Sequence, residues 1–385
     1  MALATPRDET ATDDGAGLVD ELVAIGRNRG LAAVGVTGAG VFTETRGDLL
    51  DRRRLGLHGD MQFTYRNPER STDPTRILPG ARSLVVGAWG YRREDRQEAP
   101  EDHDRESPGR PRARVARYAQ RDHYASLRQA LTAVADRLKR DGWRATVVCD
   151  DNALVDRAAA HRAGLGWFGK NSLLLLPGLG SWFVLGSVVT DAPLAPDPDR
   201  GRPSEHGSGC GSCTRCMTAC PTGALVSPGV VDARRCLAWL VQAPGSFPEQ
   251  YREALGDRIY GCDECQSVCP INRLAERRDP PPPMEPDADA EDGAGVDLLG
   301  LLDSSDADLL DRHGRWYIAG RQPRYLRRNA LVALGNLGDG NDPDTEAALR
   351  RALDDPDPMI NEHATWAARK LGRDDLVDRV GVGLA

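Results

Sequence analysis

Aromatic residues make up only 5% of the chain, so its cores must be built mostly from aliphatic side chains. Long apolar runs are missing as well. The most apolar window, residues 172–189, is interrupted by Pro177, Gly178, Gly180 and Gly186. It therefore reads as two strands and a turn, not as a membrane helix. Excess positive charge is also absent. A net charge of −8 gives no global field that would draw in nucleic acid, so an RNA partner would have to be met by a local basic patch. Residues 1–15 are polar and acidic, which predicts a disordered tail over 1–17 and no secretory leader. These absences predict a soluble, cytoplasmic protein with no membrane partner, in a compartment where thiols stay reduced.

Cysteine is not scarce. The stretch C-G-S-C-T-R-C-M-T-A-C-P carries Cys210, Cys213, Cys216 and Cys220 before Pro221. Its C-x2-C-x2-C-x3-C-P spacing is that of bacterial two-cluster ferredoxins, in which the fourth cysteine ligates the other cluster. A second stretch, G-C-D-E-C-Q-S-V-C-P, supplies Cys262, Cys265 and Cys269 but lacks the first cysteine of such a run. Cys236, in D-A-R-R-C, is free to replace it from a distance. Crossing the fourth cysteines gives one set of Cys210, Cys213, Cys216 and Cys269 and a second of Cys262, Cys265, Cys236 and Cys220. Of the nine cysteines only Cys149 is left over. Disulfides would need an oxidising compartment. Structural zinc seldom uses a third cysteine two residues on followed by Cys-Pro, although it remains the alternative. Two 4Fe–4S clusters are the expectation.

Leu18, Leu22 and Ile25 recur at helical spacing, and Gly30 stops that helix. Strands are expected over 31–37, 83–89 and 145–149, with helices over 127–138 and 153–162. Residues 172–176 and 182–190 form the strand pair noted above. Residues 92–114 read as a charged surface loop. This alternation predicts an α/β domain over 18–205. A ferredoxin-like two-cluster domain follows over 206–275, then an acidic, proline-rich linker over 276–297. Beyond it the periodicity is helical, and D-D-P-D-P-M-I-N-E-H-A-T-W-A-A-R-K-L-G resembles a HEAT-type repeat. An all-α domain over 298–385 is expected, packed on the cluster domain.

The loop G-L-G-W-F-G-K-N at 164–171 matches G-x-G-x-x-G, yet a helix precedes it and a strand follows. Phosphate-binding loops need the reverse order, so a tight connection or a close approach to some other cofactor is expected. Asp150 directly follows a strand, where such domains place ligands, although Asp150 or Asp151 could simply cap the next helix. Between 313 and 330 there are five arginines and no acidic residue, with Trp316, Tyr317 and Tyr325 interleaved. Arg324, Arg327 and Arg328 are the candidate phosphate contacts, weighed against a solvated helix face.

Taken together, the chain resembles the epoxyqueuosine reductases. The resemblance is carried by H-G-D-M-Q-F, I-L-P-G-A-R-S, R-Y-A, the strand-end Asp150, A-G-L-G-W-F-G-K-N-S, both cysteine sets and R-N-A-L-V-A-L-G-N. It implies a cobalamin between the first two domains, fed with electrons by the clusters. Asp150 matches the proton donor, and Asp150, Asn171, Ser172 and Asp263 are the implied cobalamin-binding positions. The implied substrate is tRNA carrying epoxyqueuosine in the anticodon. The implied partner is an electron donor the sequence does not name, and a monomer is expected. Ala153 stands where the family has Pro, and Asp156 where it has Glu. The R-D-H-Y that follows Gln120 leaves His123 and Tyr124 without a role. A buried strand position is expected for Cys149. The D-x-H-x-x-G pattern that supplies a histidine to cobalt is absent. Two other functions compete: a cobalamin-dependent reductive dehalogenase, and a ferredoxin-type electron carrier with a helical docking module.

Overall fold

The computed structural model describes residues 14–91, 110–196, 208–278 and 295–382. The expected tail over 1–13, most of the 92–114 loop and most of the 276–297 linker lie outside the described residues. The first helix, α1 (Asp14–Asn28), begins inside the stretch expected to be disordered, so residues 14–17 are helical. Gly30, at φ +92°, turns the chain into β1 (Ala33–Gly38); a Cβ there would sit 2.8 Å from the Trp89 ring. Next come β2 (Ser83–Gly90) and, after residue 110, β3 (Arg112–Val115). Then follow α2 (His123–Arg140), β4 (Ala145–Cys149), α3 (Asp156–Arg162) and β5 (Phe183–Thr190).

Strands β1, β2, β5 and β4 form a sheet in that order, and all three pairings are antiparallel. This corrects the α/β expectation: strands and helices do alternate, but without parallel crossovers. Hydrophobic periodicity reports which face a residue buries and carries no information on strand direction. Helices α1 and α2 cover one face, where Leu22, Leu127, Leu131, Val134 and Leu138 are completely buried against Val34 and Val85. The other face buries Leu84, Val86 and Val189 beneath Ala159 and Ala160 of α3. Burial on both faces explains why β2 is apolar throughout. The two strands expected in 172–190 do not pair with each other along their length. Leu174–Leu175 pairs with Trp167–Phe168, and β5 enters the main sheet.

Strand β3 falls at the end of the expected surface loop and runs parallel to β6 (Arg258–Tyr260) of the cysteine segment. On its other side it pairs with β7 (Val296–Asp297), so one small sheet joins the first expected domain, the cysteine domain and the end of the linker, crossing two expected boundaries. Its sequence hides it. Ala113 is buried, while Arg114 forms an ion pair with Asp257 at 2.6 Å and Arg112 donates to the Gly295 carbonyl.

The C-terminal part comprises α4 (Arg324–Leu337), α5 (Pro343–Leu353), α6 (Pro358–Lys370) and α7 (Asp374–Val382). The repeated Asp-Pro starts α5 and α6. Asp342 accepts from the Thr345 N–H and Asp357 from the Met359 N–H, with proline in the first helical turn. These helices share one core with the cysteine segment, in which Phe247, Leu255 and Ile259 pack with Leu326, Leu331 and Ala364. The Phe247 N–H donates to His363 Nε2 at 3.0 Å across that seam.

Candidate active site at the sheet edge

Asp150 ends β4 in the left-handed region, at φ +50°. A non-glycine residue there costs of order 1–3 kcal/mol and persists only when its surroundings enforce it. The turn stops the strand and presents the carboxyl at the sheet edge. Asp150 does not cap α3, whose N-cap is Val155 with no side-chain bond. Asp151 takes the local task, accepting from the Ala153 N–H at 2.8 Å. Asp150 is open to solvent, yet the protein around it desolvates the carboxyl and raises its pKa; Arg128 opposes the shift and Asp151 adds to it.

Two neighbours were not assigned from the sequence. Burial holds the Tyr124 hydroxyl well above its ordinary pKa, and the charges of Asp150 and Asp156 add to this. Asp156 lies in the first turn of α3, with its carboxyl also held well above normal by burial and then by Asp150. Its Oδ1 is buried with no hydrogen-bond partner, which fits a carboxyl whose charged form is disfavoured. The only signal in the sequence was spacing, six residues beyond Asp150 and just before Arg157. Cys149 is a buried thiol pushed up to about 12 by burial, with its sulfur against Gly186. His123 begins α2 and packs its ring 5.3 Å from that of Tyr91.

The glycine-rich loop ties the sheet to the cysteine segment. A Cβ on Gly166 would lie 2.1 Å from the Leu175 carbonyl, so chain packing explains that glycine without any phosphate. Lys170 Nζ donates to the Gly211 carbonyl at 2.6 Å. Asn171 is buried; its amide donates to the Cys265 carbonyl at 3.4 Å, and its Oδ1 accepts from the Leu173 N–H. Ser172, at φ +63°, presents its carbonyl to Arg157. Asp263 Oδ2 accepts from the Arg117 N–H at 2.6 Å, which clips the second cysteine loop to the R-Y-A turn. Asn171 and Asp263 thus spend polar atoms on the protein's own backbone.

All eight cysteines of the two sets are free thiols and partly exposed. Burial raises Cys216, which also feels Cys210, Cys269 and Cys213. Burial likewise raises Cys265, which also feels Cys236, Cys262 and Cys216, and it raises Cys236, which feels Cys220. The thiols of both expected sets thus lie within electrostatic reach of one another. Burial raises Cys262 to about 11. In Cys220, N–H groups including that of Ala224, 3.2 Å from its sulfur, outweigh burial and lower the pKa. Protonated thiols must lose their protons to ligate iron, which couples cluster assembly to pH. Among the described residues no three His, Cys, Asp or Glu are close enough to chelate one ion. A lone zinc would draw its thiolates to about 2.3 Å from itself, whereas a four-iron cube takes them at separate corners.

The C-terminal arginines require a correction. Arg328 is completely buried and cannot reach phosphate. Its guanidinium donates to the carbonyls of Leu240, Val241, Ala243 and Gly245 and to Asn329 Oδ1. Arg327 pairs with Asp306 at 2.5 Å and Arg324 with Asp357 at 3.1 Å, both partly accessible. The acids that neutralise them lie outside the acid-free window, which is why the sequence pattern misleads.

A carboxyl at a sheet edge, eight cysteines in ferredoxin-type spacing and a helical-repeat tail suit an iron–sulfur oxidoreductase. Family models agree: "4Fe-4S double cluster binding domain" matches residues 209–272, "HEAT repeats" 316–380, and "Epoxyqueuosine reductase QueG, DUF1730" 71–151. The chain is 36% identical to the epoxyqueuosine reductase of Xanthomonas campestris, covering 90% of this chain and 94% of that one. For the Bacillus subtilis enzyme the identity is 34%, with coverage of 92% and 88%. A solved epoxyqueuosine reductase with an epoxyqueuosine-modified tRNA-Tyr stem loop superposes with TM-score 0.79 at 32% identity, covering 93% and 91%. A Bacillus subtilis structure, described with its catalytic aspartate loop swung out of the active site, gives 0.79 at 31%, covering 94% of each chain. The chain belongs to the epoxyqueuosine reductase family.

Proposed function

We propose that this protein reduces epoxyqueuosine to queuosine at the wobble position of tRNA. Two 4Fe–4S clusters held by the eight cysteines, and a cobalamin, would supply electrons from a separate donor, and Asp150 delivers a proton. The observation that carries the reading is the Asp150 carboxyl, held at the sheet edge in a strained turn with its pKa raised. Two electrons and two protons convert the epoxide to an alkene and release its oxygen as water. A carboxyl with a raised pKa keeps its proton to higher pH than an ordinary one, which suits the release of that oxygen.

The residues present fit a corrin between the sheet edge and the cysteine segment. Asp150 lies within electrostatic reach of Tyr260, two residues before Cys262. Arg157 reaches both Tyr124 and Cys236. Two buried polar atoms, His58 Nδ1 and Asp156 Oδ1, have no hydrogen-bond partner among the described residues. The amide arms of a corrin would satisfy such atoms. Ser172 and Asp150 line the edge, while Asn171 and Asp263 fix the loops behind it. Bound cobalamin would supply the low-potential cobalt chemistry at carbon. Asp150 then holds a proton at its carboxyl, and the burial that raises Asp156 disfavours a second negative charge beside it. Among the described residues no helix is long and apolar enough to cross a membrane, in keeping with a cytoplasmic enzyme acting on tRNA.

The test is anaerobic. Reconstituted protein, a chemical reductant and an epoxyqueuosine stem loop should yield queuosine, one oxygen lighter, only when cobalamin is present. Full iron content and bound corrin with no conversion would overturn the reading.

A further inference from the structure

We infer that a cleft beside the Asp150 turn holds an unpaired nucleotide of the RNA next to the one that reacts. The inference rests on the tRNA reading above and assigns that substrate a contact surface. The cleft, of about 380 Å³, is lined by Phe63, Arg66, Asn67, Arg70 and Asn152. Asn152 lies two residues after Asp150, so the two Cα atoms are at most about 7.6 Å apart. The cleft therefore lies within reach of the nucleotide next to one seated at Asp150.

The lining carries the chemistry for a single-stranded nucleotide. Arg66 and Arg70 are both exposed, and among the described residues neither side chain has a bonding partner. The neighbouring arginines are committed. Arg46 donates to Thr72 Oγ1, Arg52 to the Gly229 carbonyl and Arg53 to the Tyr65 carbonyl. Two free guanidiniums side by side repel each other unless an anion lies between them, and a phosphodiester matches their fork geometry. Glu69, the acid between them in sequence, is exposed and pairs with neither. Phe63 exposes 40% of its surface, so an aromatic ring is open to stacking by a base. Asn152 is an exposed amide with no protein partner among the described residues, available to a base edge.

The walls are preorganised. Pro68, Ser71 and Thr72 are buried beneath the cleft; Thr72 Oγ1 donates to the Pro68 carbonyl at 2.6 Å and Ser71 Oγ to the Thr64 carbonyl at 3.1 Å. Upstream, the Leu57 carbonyl accepts from the Ala233 N–H and the Gly59 carbonyl from Trp239 Nε1. The segment leading into the cleft is thereby fixed to the loop that carries Cys236. A nucleotide held here is registered against both Asp150 and the second thiol set. This surface also supplies the free cations that the C-terminal arginines do not.

The experiment uses the full reconstituted chain, an unmodified anticodon stem loop and a blunt duplex of equal charge. Arg66→Gln with Arg70→Gln should flatten the log–log salt dependence of stem-loop binding by about 1.4, at about 0.7 per single-strand contact. Phe63→Ala should weaken stem-loop binding at least about five-fold and leave duplex binding unchanged. Iron content and the corrin spectrum should match the parent in both. Parental affinity and slope in the arginine variant would overturn the inference, as would an equal loss for duplex and stem loop in Phe63→Ala. If the parent binds the stem loop through this cleft but fails to convert epoxyqueuosine, the reaction is misassigned and the RNA site stands.

Discussion

Changing Arg328 to Gln separates a structural role from a nucleic-acid role. The guanidinium is completely buried in the seam between the helical tail and the cysteine segment. It donates to Leu240, Val241 and Ala243 carbonyls at 3.0, 3.2 and 2.7 Å, and no carboxylate among the described residues bonds it. Burial pushes its pKa down to about 10, so the carbonyls carry the whole task of holding the charge. Charge-assisted bonds of this kind contribute about 1.5–3 kcal/mol each, and a carbonyl left buried without a donor costs about 1–3 kcal/mol. A Gln amide offers only two donors and a shorter reach. Part of the loss is offset because a charge is no longer buried. The net expectation is a loss of about 2–4 kcal/mol. The freed loop follows Cys236 within nine residues, so iron at the second thiol set should fall as well. Denaturant midpoints of the reconstituted protein, with iron analysis, are the assay. The RNA salt slope should stay parental apart from any unfolded fraction. A phosphate contact predicts the reverse, parental stability with a slope reduced by about 0.9. That second pattern would falsify the seam assignment.

Asp150→Asn should retain iron and corrin and lose turnover by about a hundred- to ten-thousand-fold, the usual range for a general acid. Asp151→Asn should cost far less, because an amide oxygen can still accept from the Ala153 N–H. Asp150 works protonated and its pKa is raised, so turnover should fall as pH climbs through that raised value, and the Asn variant should lose this limb. Parental turnover in Asp150→Asn would return the residue to a turn-forming role. Cys236→Ala should lose one of the two cubes, halving the iron from about eight per chain. A full iron count in that variant would show that the crossed sets are wrong.

The sequence by itself determined the elements whose signal is local. Cysteine spacing defined a two-cluster segment. Leu127, Leu131, Val134 and Leu138 marked a helix face, and the Asp-Pro starts marked the tail helices; short-range periodicity and capping are written in consecutive residues. The strand-end Asp150 was visible for the same reason. Tertiary structure decided whatever depends on distant partners. The main sheet is antiparallel because β2 and β4 each pair with β5, and no single strand records its neighbour's direction. Strand β3 was hidden because its alternation reads Arg, Ala, Arg, and the ion pair with Asp257 comes from 143 residues away. Tyr124 and Asp156 join Asp150 only once α2 and α3 fold against the sheet. The arginine-rich stretch looked like a phosphate surface until folding supplied Asp306 and Asp357 and sealed Arg328 against backbone carbonyls. Charge in a sequence counts what is present, and only the fold decides which charges are already neutralised and which remain free to meet a partner.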